Sequence, residues 1–233
     1  MAQQSRLRIS VVIPALNEQE GIHRALESSR EPGVERIVVD GGSRDGTSQV
    51  ARFLRAEKLI ESPPGRARQL EAGWRAATGE VVVFLHADTR LEAGWSDAVR
   101  RACERPRVVG GAFRLRFESD RPIYRLLELG ARLRHRLGAS PKGKQALFIR
   151  RDLLDAKGGI VDTPIFEDLD LVRSIRHHGK LALCRESAIT SVRRYEANGP
   201  LRAGLRKAVA VLGYLVDYDR ERVARWYHRR PRA

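Results

Sequence analysis

The chain is poor in cysteine, in aromatic residues and in long apolar runs. Its two cysteines, Cys103 and Cys184, lie far apart in no paired motif, which excludes a disulfide framework and a cysteine zinc site and favours thiols in a reducing compartment. Aromatic residues make up 6% of the chain, too few to favour base stacking on nucleic acid. No apolar run approaches the roughly 20 residues that cross a bilayer, and residues 1–6 lack a signal-peptide layout. We therefore expect a cytoplasmic protein.

The overall composition is that of a globular protein with a strong positive charge. The chain has 233 residues, of which 42% are apolar and 31% charged, which fits one α/β domain with a modest appendage. The net charge is +15 at pH 7. Such a charge attracts nucleotides, phosphorylated substrates, nucleic acid or an anionic membrane surface, and it does not choose among them.

Apolar periodicity in the first half of the chain alternates between strand and helix. Strands are predicted at 8–14, 36–40, 58–61 and 80–86, and helices at 18–30, 47–56 and 65–78. In helix 47–56, Val50, Phe53 and Leu54 form the predicted apolar stripe. Strands that alternate with helices predict a mostly parallel sheet with helices on both faces.

The second half of the chain has a less regular pattern. The predicted strands are 108–117, 145–150, 180–184 and 188–195. The predicted helices are 122–138, 167–178 and two within 198–227 that are interrupted near 213–219, and residues 139–144 are predicted to form a loop.

Polar residues follow three of the predicted strands at the point where each strand ends. Asn17 and Glu18 follow the first strand, Asp40 ends the second, and His86 and Asp88 follow the buried strand that contains residues 81–85. Ligands of open α/β sheets bind beyond the carboxyl ends of the strands, where a carboxylate can hold a divalent cation against a diphosphate. Each motif alone is also explained as a helix cap or a glycine-rich turn.

Two further motifs lie in the second half of the chain. Glu167, Asp168 and Asp170 open a helix, where they either complement the helix dipole or supply a general base. Arg193 and Arg194 follow a predicted strand and suit a diphosphate, although a solvated basic edge explains them equally well.

Taken in this order, the motifs resemble those of the family 2 glycosyltransferases. The matching segments are 11–18, 38–43, 45–47, 65–67 with Gln69 and Gly73, 79–80, 84–89 and 167–170. The His-Ala-Asp-Thr sequence at 86–89, with segments 110–113 and 193–195, is similar to a small bacterial subgroup named for a role in arsenosugar biosynthesis.

The resemblance implies a GT-A type fold, in which a Rossmann-like, mostly parallel sheet is flanked by helices. The implied catalytic domain covers residues 1–197, with a nucleotide-binding half (1–90) and an acceptor half (91–197). Residues 198–233 are then a basic, amphipathic helical segment. Its residues 201–233 either dock against the catalytic domain or a second subunit, or lie on an anionic membrane surface.

The resemblance also implies roles for individual residues in sugar transfer from a nucleotide donor, UDP-linked, to a hydroxyl acceptor. The residues implied on the nucleotide side are Pro14, Ala15, Glu18, Asp40, Gly41, Arg66, Arg68, His86 and Ala87. Asp88 would bind Mg²⁺ or Mn²⁺, and Asp168 would be the base for an inverting displacement, supported by Glu167. Arg193 and Arg194 would face the diphosphate or the acceptor.

One departure from the family pattern concerns the metal. His86 stands where the family's metal motif has a carboxylate, and because magnesium prefers oxygen ligands, His86 is expected to contact the donor rather than the metal.

Two other functions remain open from the sequence. A nucleotidyltransferase would bind the same ligands without needing a base at Asp168, and a nucleic-acid-binding protein would use the positive charge alone. The glycosyltransferase hypothesis requires Asp40, Asp88 and Asp168 to line one crevice.

Overall fold

An eight-stranded sheet forms the centre of the computed structural model, which describes residues 6–136, 143–216 and 218–228. The strands are β1 (Ile9–Ala15), β2 (Val34–Asp40), β3 (Lys58–Glu61), β4 (Val81–Phe84), β5 (Thr89–Leu91), β6 (Val108–Phe117), β7 (Leu147–Arg150) and β8 (Lys180–Thr190). Their order across the sheet is β3-β2-β1-β4-β7-β6-β8-β5. Strands β1 and β4 are fully buried, in keeping with the Val- and Ile-rich runs that form them.

Helices cover both faces of this sheet. The helices are α1 (Ile22–Ser28), α2 (Thr47–Phe53), α3 (Arg66–Ala76), α4 (Trp95–Cys103), α5 (Pro122–Arg136), α6 (Arg151–Lys157), α7 (Glu167–Ile175), α8 (Arg193–Asn198), α9 (Pro200–Leu215) and α10 (Arg220–His228). The buried residues of α1, α2 and α4 share one core cluster with β1, and those of α3, α6 and α7 share another with β2 and β4. The predicted α/β architecture is therefore confirmed.

Strand pairing determines where the site lies. Strand β1 pairs in parallel with β2 and with β4, and β2 pairs in parallel with β3. The carboxyl ends of these four strands therefore meet at one edge of the sheet. Strand β7 lies antiparallel between β4 and β6, which makes the sheet mixed but mostly parallel.

Helix α3 approaches β1 unusually closely. A Cβ atom at Gly73 would lie 2.2 Å from Cγ1 of Val12, so only glycine allows this packing. A crossover helix runs back against its strands, and its first residue, Arg66, therefore lies at the carboxyl edge of the sheet.

Several predicted elements differ from the structure. The two short strands predicted at 180–184 and 188–195 form one strand, β8, and Arg193 begins helix α8 instead of ending a strand. Phe53 is 83% exposed, so it does not belong to the buried stripe of α2. The sequence pattern did not predict β5 or α6, which are short. The predicted loop 139–144 is described only from Gly143, where residues Gly143–Gln145 form a 3₁₀ turn.

The C-terminal helices pack against the segment that leads into α7. Ile165 and Phe166 share a buried cluster with Ala210 of α9 and with Val223 and Ala224 of α10. The predicted interruption near 213–219 agrees with the break between α9 and α10. Within the described residues, no helix has both the length and the apolarity to cross a membrane.

Candidate active site

A cavity of about 500 Å³ opens at the carboxyl edge of β1 and β4. The predicted site residues that line it are Pro14, Glu18, Arg66, His86, Ala87, Asp88, Glu167 and Asp168. Asp88 and Asp168 are 80 positions apart in the sequence, and the fold brings them to one cavity.

Asp40 lines a second depression, of about 540 Å³, together with Ser43 and Ser62. It therefore does not share the lining of the first cavity with Asp88 and Asp168. Gln69 lines the first cavity and donates hydrogen bonds to the carbonyl oxygens of Ala15 and of Val39, the residue before Asp40, at 2.7 and 2.8 Å. The backbone N–H of Gly41 also donates to Ala15, so the backbone between the depressions is held by hydrogen bonds.

The carboxylate of Asp40 is held by hydroxyl groups. Its oxygens accept hydrogen bonds from the hydroxyl of Ser43 at 2.6 Å and the hydroxyl of Ser48 at 2.5 Å. Burial opposes ionisation, but these hydrogen bonds outweigh it and lower the pKa of Asp40 below its ordinary value. Asp40 is therefore an anion and an acceptor at neutral pH.

Asp88 is fixed between β4 and β5. Its carbonyl oxygen accepts a hydrogen bond from the backbone N–H of Ser191, which follows β8, and its side chain is only 7% exposed. The nearest cation among the described ion pairs is Lys144, whose Nζ lies 3.9 Å from Oδ2 of Asp88. The ammonium of Lys144 also lies over the ring of Tyr195, 4.8 Å from its centroid.

His86 contacts a guanidinium group. Nη1 and Nη2 of Arg66 lie 3.0 and 2.8 Å from the two ring nitrogens of His86, and Nε of Arg66 pairs with Glu167 at 2.7 Å. A cationic neighbour disfavours a metal ion at this imidazole, and the contact of His86 with the donor stays a prediction.

Burial changes the acidity of Glu167. Desolvation is the largest effect on this carboxyl group, and together with the nearby Asp168 it outweighs the stabilising Arg66, so the pKa of Glu167 is raised.

Asp168 stands at the first turn of α7 and faces the 3₁₀ turn. Its Oδ2 accepts a hydrogen bond from the backbone N–H of Gly143, and a Cβ at Gly143 would lie within 3.0 Å of Asp168 and 3.2 Å of His86. The residue before the helix, Phe166, has φ 66° and ψ 27°, a left-handed conformation that is uncommon for a non-glycine residue. Its ring packs edge-on against Tyr214, with centroids 5.4 Å apart.

Asp170 joins α7 to the C-terminal helices. Its carboxylate accepts hydrogen bonds from Tyr214 at 2.9 Å and from Arg220 at 2.6 and 3.2 Å. Tyr227, on α10, lines the cavity beside Asp168. The C-terminal segment thus docks on the helix that carries the candidate base.

The predicted arginines have different positions. Arg193 pairs with Glu18 at 2.8 Å and with Glu20 at 2.5 Å, so it reaches the cavity only through Glu18. Arg68 lies on the surface, paired with Asp162 at 2.8 Å, and is not part of the cavity lining. The side chain of Arg194 lies outside the part of the chain that the structure describes.

Three polar side chains of the cavity lining were not predicted to have a role. Gln69 lies three positions after Arg66 on α3, and a polar residue among the apolar positions of that face is a usable signal. Lys144 and Tyr227 reach the cavity through long-range packing, and no local pattern marks them.

The carboxylates fit a divalent metal only if a ligand completes its coordination. In the described part of the chain, no group of three or more histidine, cysteine or carboxylate side chains is placed to hold a metal ion. Magnesium is often held by one or two carboxylates together with water and substrate phosphates. Asp88 fits that arrangement.

Comparison with known sequences identifies the family. The sequence model of glycosyl transferase family 2 matches residues 10–156, more than half of the chain. The chain belongs to glycosyl transferase family 2. The match includes β1 to β4 and Asp88 and ends before Glu167 and Asp168.

Curated relatives in this family match over shorter stretches. An uncharacterized glycosyltransferase of Mycobacterium tuberculosis is 36% identical over 86 residues, which are 37% of this chain and 39% of that protein. Glucosyl-3-phosphoglycerate synthase of the same organism is 39% identical over 93 residues, which cover 34% of this chain and 28% of that protein. The chain thus matches less than two fifths of the length of these relatives.

Solved structures of similar fold extend over most of the chain. Glucosyl-3-phosphoglycerate synthase from M. tuberculosis, in complex with Mn²⁺, UDP and glucosyl-3-phosphoglycerate, has a TM-score of 0.60 at 20% identity, and the match covers 91% of this chain and 81% of that one. A mannosyltransferase from Pyrobaculum calidifontis, in complex with GDP-mannose and Mn²⁺, has a TM-score of 0.58 at 21% identity, with 81% and 57% covered. At these identities the likeness shows the family 2 fold alone.

Proposed function

We propose that this protein is an inverting glycosyltransferase that moves a sugar from a nucleoside diphosphate sugar, UDP-linked, to a hydroxyl acceptor. The observation that carries this proposal is that Asp88 and Asp168 line one cavity at the carboxyl edge of β1 and β4. The relatives whose structures contain UDP or GDP-mannose with Mn²⁺ support the same class of donor.

The nucleotide is assigned to the wall formed by β1, β2 and β4. Asp40 accepts hydrogen bonds from the base or ribose in its own depression, and the diphosphate reaches the first cavity across Gly41 and Gln69. Glycine at position 41 suits this path because a Cβ there would lie 3.0 Å from the Gln69 amide. Glu18, with the backbone at Pro14 and Ala15, faces the same side.

The acceptor is assigned to the opposite wall, formed by α7, the 3₁₀ turn and Tyr227. Asp168 accepts the proton of the acceptor hydroxyl while the oxygen of that hydroxyl forms a bond to the anomeric carbon. The bond between that carbon and the diphosphate oxygen breaks, and the leaving group departs from the face opposite to the attack, which inverts the anomeric centre. Arg66 and Arg193 balance the negative charge of the leaving diphosphate.

A divalent cation at Asp88, Mg²⁺ or Mn²⁺, would supply charge neutralisation at the diphosphate. Asp88 lines the first cavity and accepts a hydrogen bond from the hydroxyl of Thr89 at 3.2 Å, whereas Glu18, the other strand-end carboxylate of this cavity, pairs with Arg193. The His-Ala-Asp-Thr sequence at 86–89 also supports membership of the arsenosugar-type subgroup.

A donor panel tests the proposal. Thermal unfolding of the protein is measured with UDP-, GDP- and other nucleotide sugars, with and without Mn²⁺. The donors that stabilise the protein are then incubated with it and with hydroxyl acceptors. We expect UDP-sugars to raise the unfolding midpoint and the transferred sugar to have the opposite anomeric configuration to the donor by NMR. If no nucleoside diphosphate compound stabilises the protein, the donor class is refuted. A retained anomeric configuration would refute the single displacement.

We further propose that the cytoplasmic protein contacts anionic membrane surfaces through the outward face of α9. Three apolar side chains are exposed here at a spacing of three and four residues: Val209 and Leu212 on α9, and Val216 directly after it. The opposite face docks on Phe166. Flotation with vesicles that contain anionic lipid tests this contact: wild type should float and Leu212→Ser should not. A dimer in solution that Leu212→Ser dissociates would instead assign the face to a second copy.

A further inference from the structure

Lys144 occupies a place in the cavity that neither the family pattern nor the strand-end motifs account for. Its ammonium lies 3.9 Å from Oδ2 of Asp88 and 4.8 Å from the ring centroid of Tyr195. The lysine side chain is 19% exposed and that of Asp88 is 7% exposed. Charges that are this well shielded interact more strongly than a surface pair.

The fold determines this position through β7. Strand β7 is antiparallel to β4, with Leu147 opposite Phe84, so the turn before β7 lies just beyond the end of β4. The turn is held there by the hydrogen bond from Gly143 to Asp168. Lys144 therefore approaches Asp88 from the side of the candidate base.

The ring that supports the lysine is also held firmly. Tyr195, on α8, packs edge-on against Phe117 with centroids 5.3 Å apart and against Tyr124 at 6.3 Å. An aromatic face attracts an ammonium group, and more so where water is excluded. Tyr195 thus keeps Lys144 beside Asp88 without neutralising it.

The two arginines near the cavity have a different arrangement. Arg66 pairs with Glu167 and Arg193 with Glu18, and neither of these carboxylates is the proposed metal ligand. Lys144 is paired with the very carboxylate that the metal would use. Two cations at one carboxylate compete, because each lowers the potential that attracts the other.

We propose that Lys144 is a resident cation of the diphosphate subsite, which competes with the divalent metal for Asp88 and itself binds the donor diphosphate. This inference rests on the proposed function, since it assigns a diphosphate to the cavity. In the free protein Lys144 weakens metal binding at Asp88. In the donor complex its ammonium lies within reach of the diphosphate, so that part of the donor affinity does not depend on metal.

The first test measures metal binding without nucleotide. Mn²⁺ is titrated into the full chain and followed by the electron paramagnetic resonance of the free ion, for wild type, Lys144→Met and Lys180→Met. Lys180 is an exposed lysine at the start of β8 and controls for the loss of one positive charge. We expect Lys144→Met to bind Mn²⁺ about tenfold more tightly than wild type and Lys180→Met to bind as wild type does.

An Asp88→Asn change in the Lys144→Met background should remove the gain, which places the ion at Asp88. Equal Mn²⁺ affinity of wild type and Lys144→Met would overturn the competition. Circular dichroism and the unfolding midpoint establish that each variant is folded. If Lys144→Met does not fold, Lys144→Gln is used in its place.

The second test measures UDP binding by calorimetry in EDTA. Wild type should bind UDP without metal, and Lys144→Met should weaken that binding about tenfold or more. Unchanged affinity of Lys144→Met in EDTA would overturn the diphosphate contact. If wild type binds no nucleoside diphosphate with or without Mn²⁺, the proposed function fails, whereas the Mn²⁺ titration still decides whether Lys144 competes for Asp88.

Discussion

The two walls of the cavity are built in different ways. The donor wall consists of strand ends joined by backbone hydrogen bonds, such as those from Gly41 to Ala15 and from Leu85 to Val12. The acceptor wall consists of α7, a 3₁₀ turn and Tyr227, and side chains from the C-terminal helices hold it. The family match covers the donor wall and the 3₁₀ turn and ends before α7. The donor wall is fixed by the sheet, and the part of the acceptor wall that lies outside the match, α7 with Tyr227, depends on docked helices.

Removing the candidate base should have the largest effect, with sugar transfer lost and UDP binding kept. Asp168→Asn keeps the shape of the side chain but cannot accept the proton of the acceptor hydroxyl. We expect sugar transfer to fall by about 10²–10⁴-fold while the Kd for UDP stays within about twofold, because the donor wall is untouched. Transfer rates and calorimetry measure the two quantities. Full sugar transfer by the variant would contradict the role of Asp168 as the base.

A change in the donor wall should instead weaken UDP binding. Asp40→Asn removes the charge that Ser43 and Ser48 stabilise, and we expect it to weaken UDP binding about tenfold. Because hydrogen bonds keep the pKa of Asp40 below its ordinary value, the ratio of the Asp40→Asn Kd to the wild-type Kd should be constant between pH 8 and pH 5. Calorimetry across this range measures both. A Kd for UDP that does not change in Asp40→Asn would remove Asp40 from the nucleotide site.

The contact between Arg220 and Asp170 should stabilise the acceptor wall but not the donor wall. Arg220→Met removes both hydrogen bonds from Arg220 to Asp170, and we expect a stability loss of about 1–2 kcal/mol and a several-fold rise in acceptor KM. The donor Kd should not change. Arg222→Met is the matched control on the same helix, because Arg222 pairs with Asp219 on the surface. Urea unfolding and steady-state kinetics report the result, and equal effects of the two variants would separate Asp170 from acceptor binding.

The smallest expected effect concerns Glu167 and has a defined pH dependence. Because the pKa of Glu167 is raised, the folded state binds the carboxyl proton more tightly than the unfolded state, whose glutamate has the ordinary pKa of 4.5. The ionised carboxylate therefore destabilises the fold at a pH above the folded pKa, and this effect is absent below pH 4.5. Glu167→Gln should raise the unfolding midpoint by about 2–4 °C at pH 7.5. The difference should vanish as the pH falls below 4.5. A variant less stable than wild type at pH 7.5 would show that the pair with Arg66 outweighs the cost of burial.

The sequence predicted the donor wall better than the acceptor wall, for a physical reason. Asp40 and Asp88 follow buried strands, and parallel strands place their carboxyl ends together whatever the rest of the chain does. Glu167 and Asp168 were noted as acidic residues that open a helix, and only the family resemblance favoured a general base over a helix-dipole role. Their position depends on Phe166, whose left-handed backbone no local pattern predicts.

The long-range contacts explain what the sequence did not predict. Lys144 reaches Asp88 because β7 is antiparallel to β4, whereas the strand–helix alternation favoured parallel neighbours. Arg193 was predicted to follow a strand, and helix α8 instead turns its side chain to Glu18. The expectation that Asp40 shares one crevice with Asp88 and Asp168 was wrong, since Asp40 lines a separate depression.

Hydrogen–deuterium exchange with UDP and Mn²⁺ tests whether one ligand spans the depression that Asp40 lines and the cavity that Asp88 lines. We expect such a ligand to protect the segments that carry Asp40, Asp88 and Gln69 and to change little in α9 and α10. Protection confined to the C-terminal helices, or protection at Asp40 without any at Asp88, would contradict it.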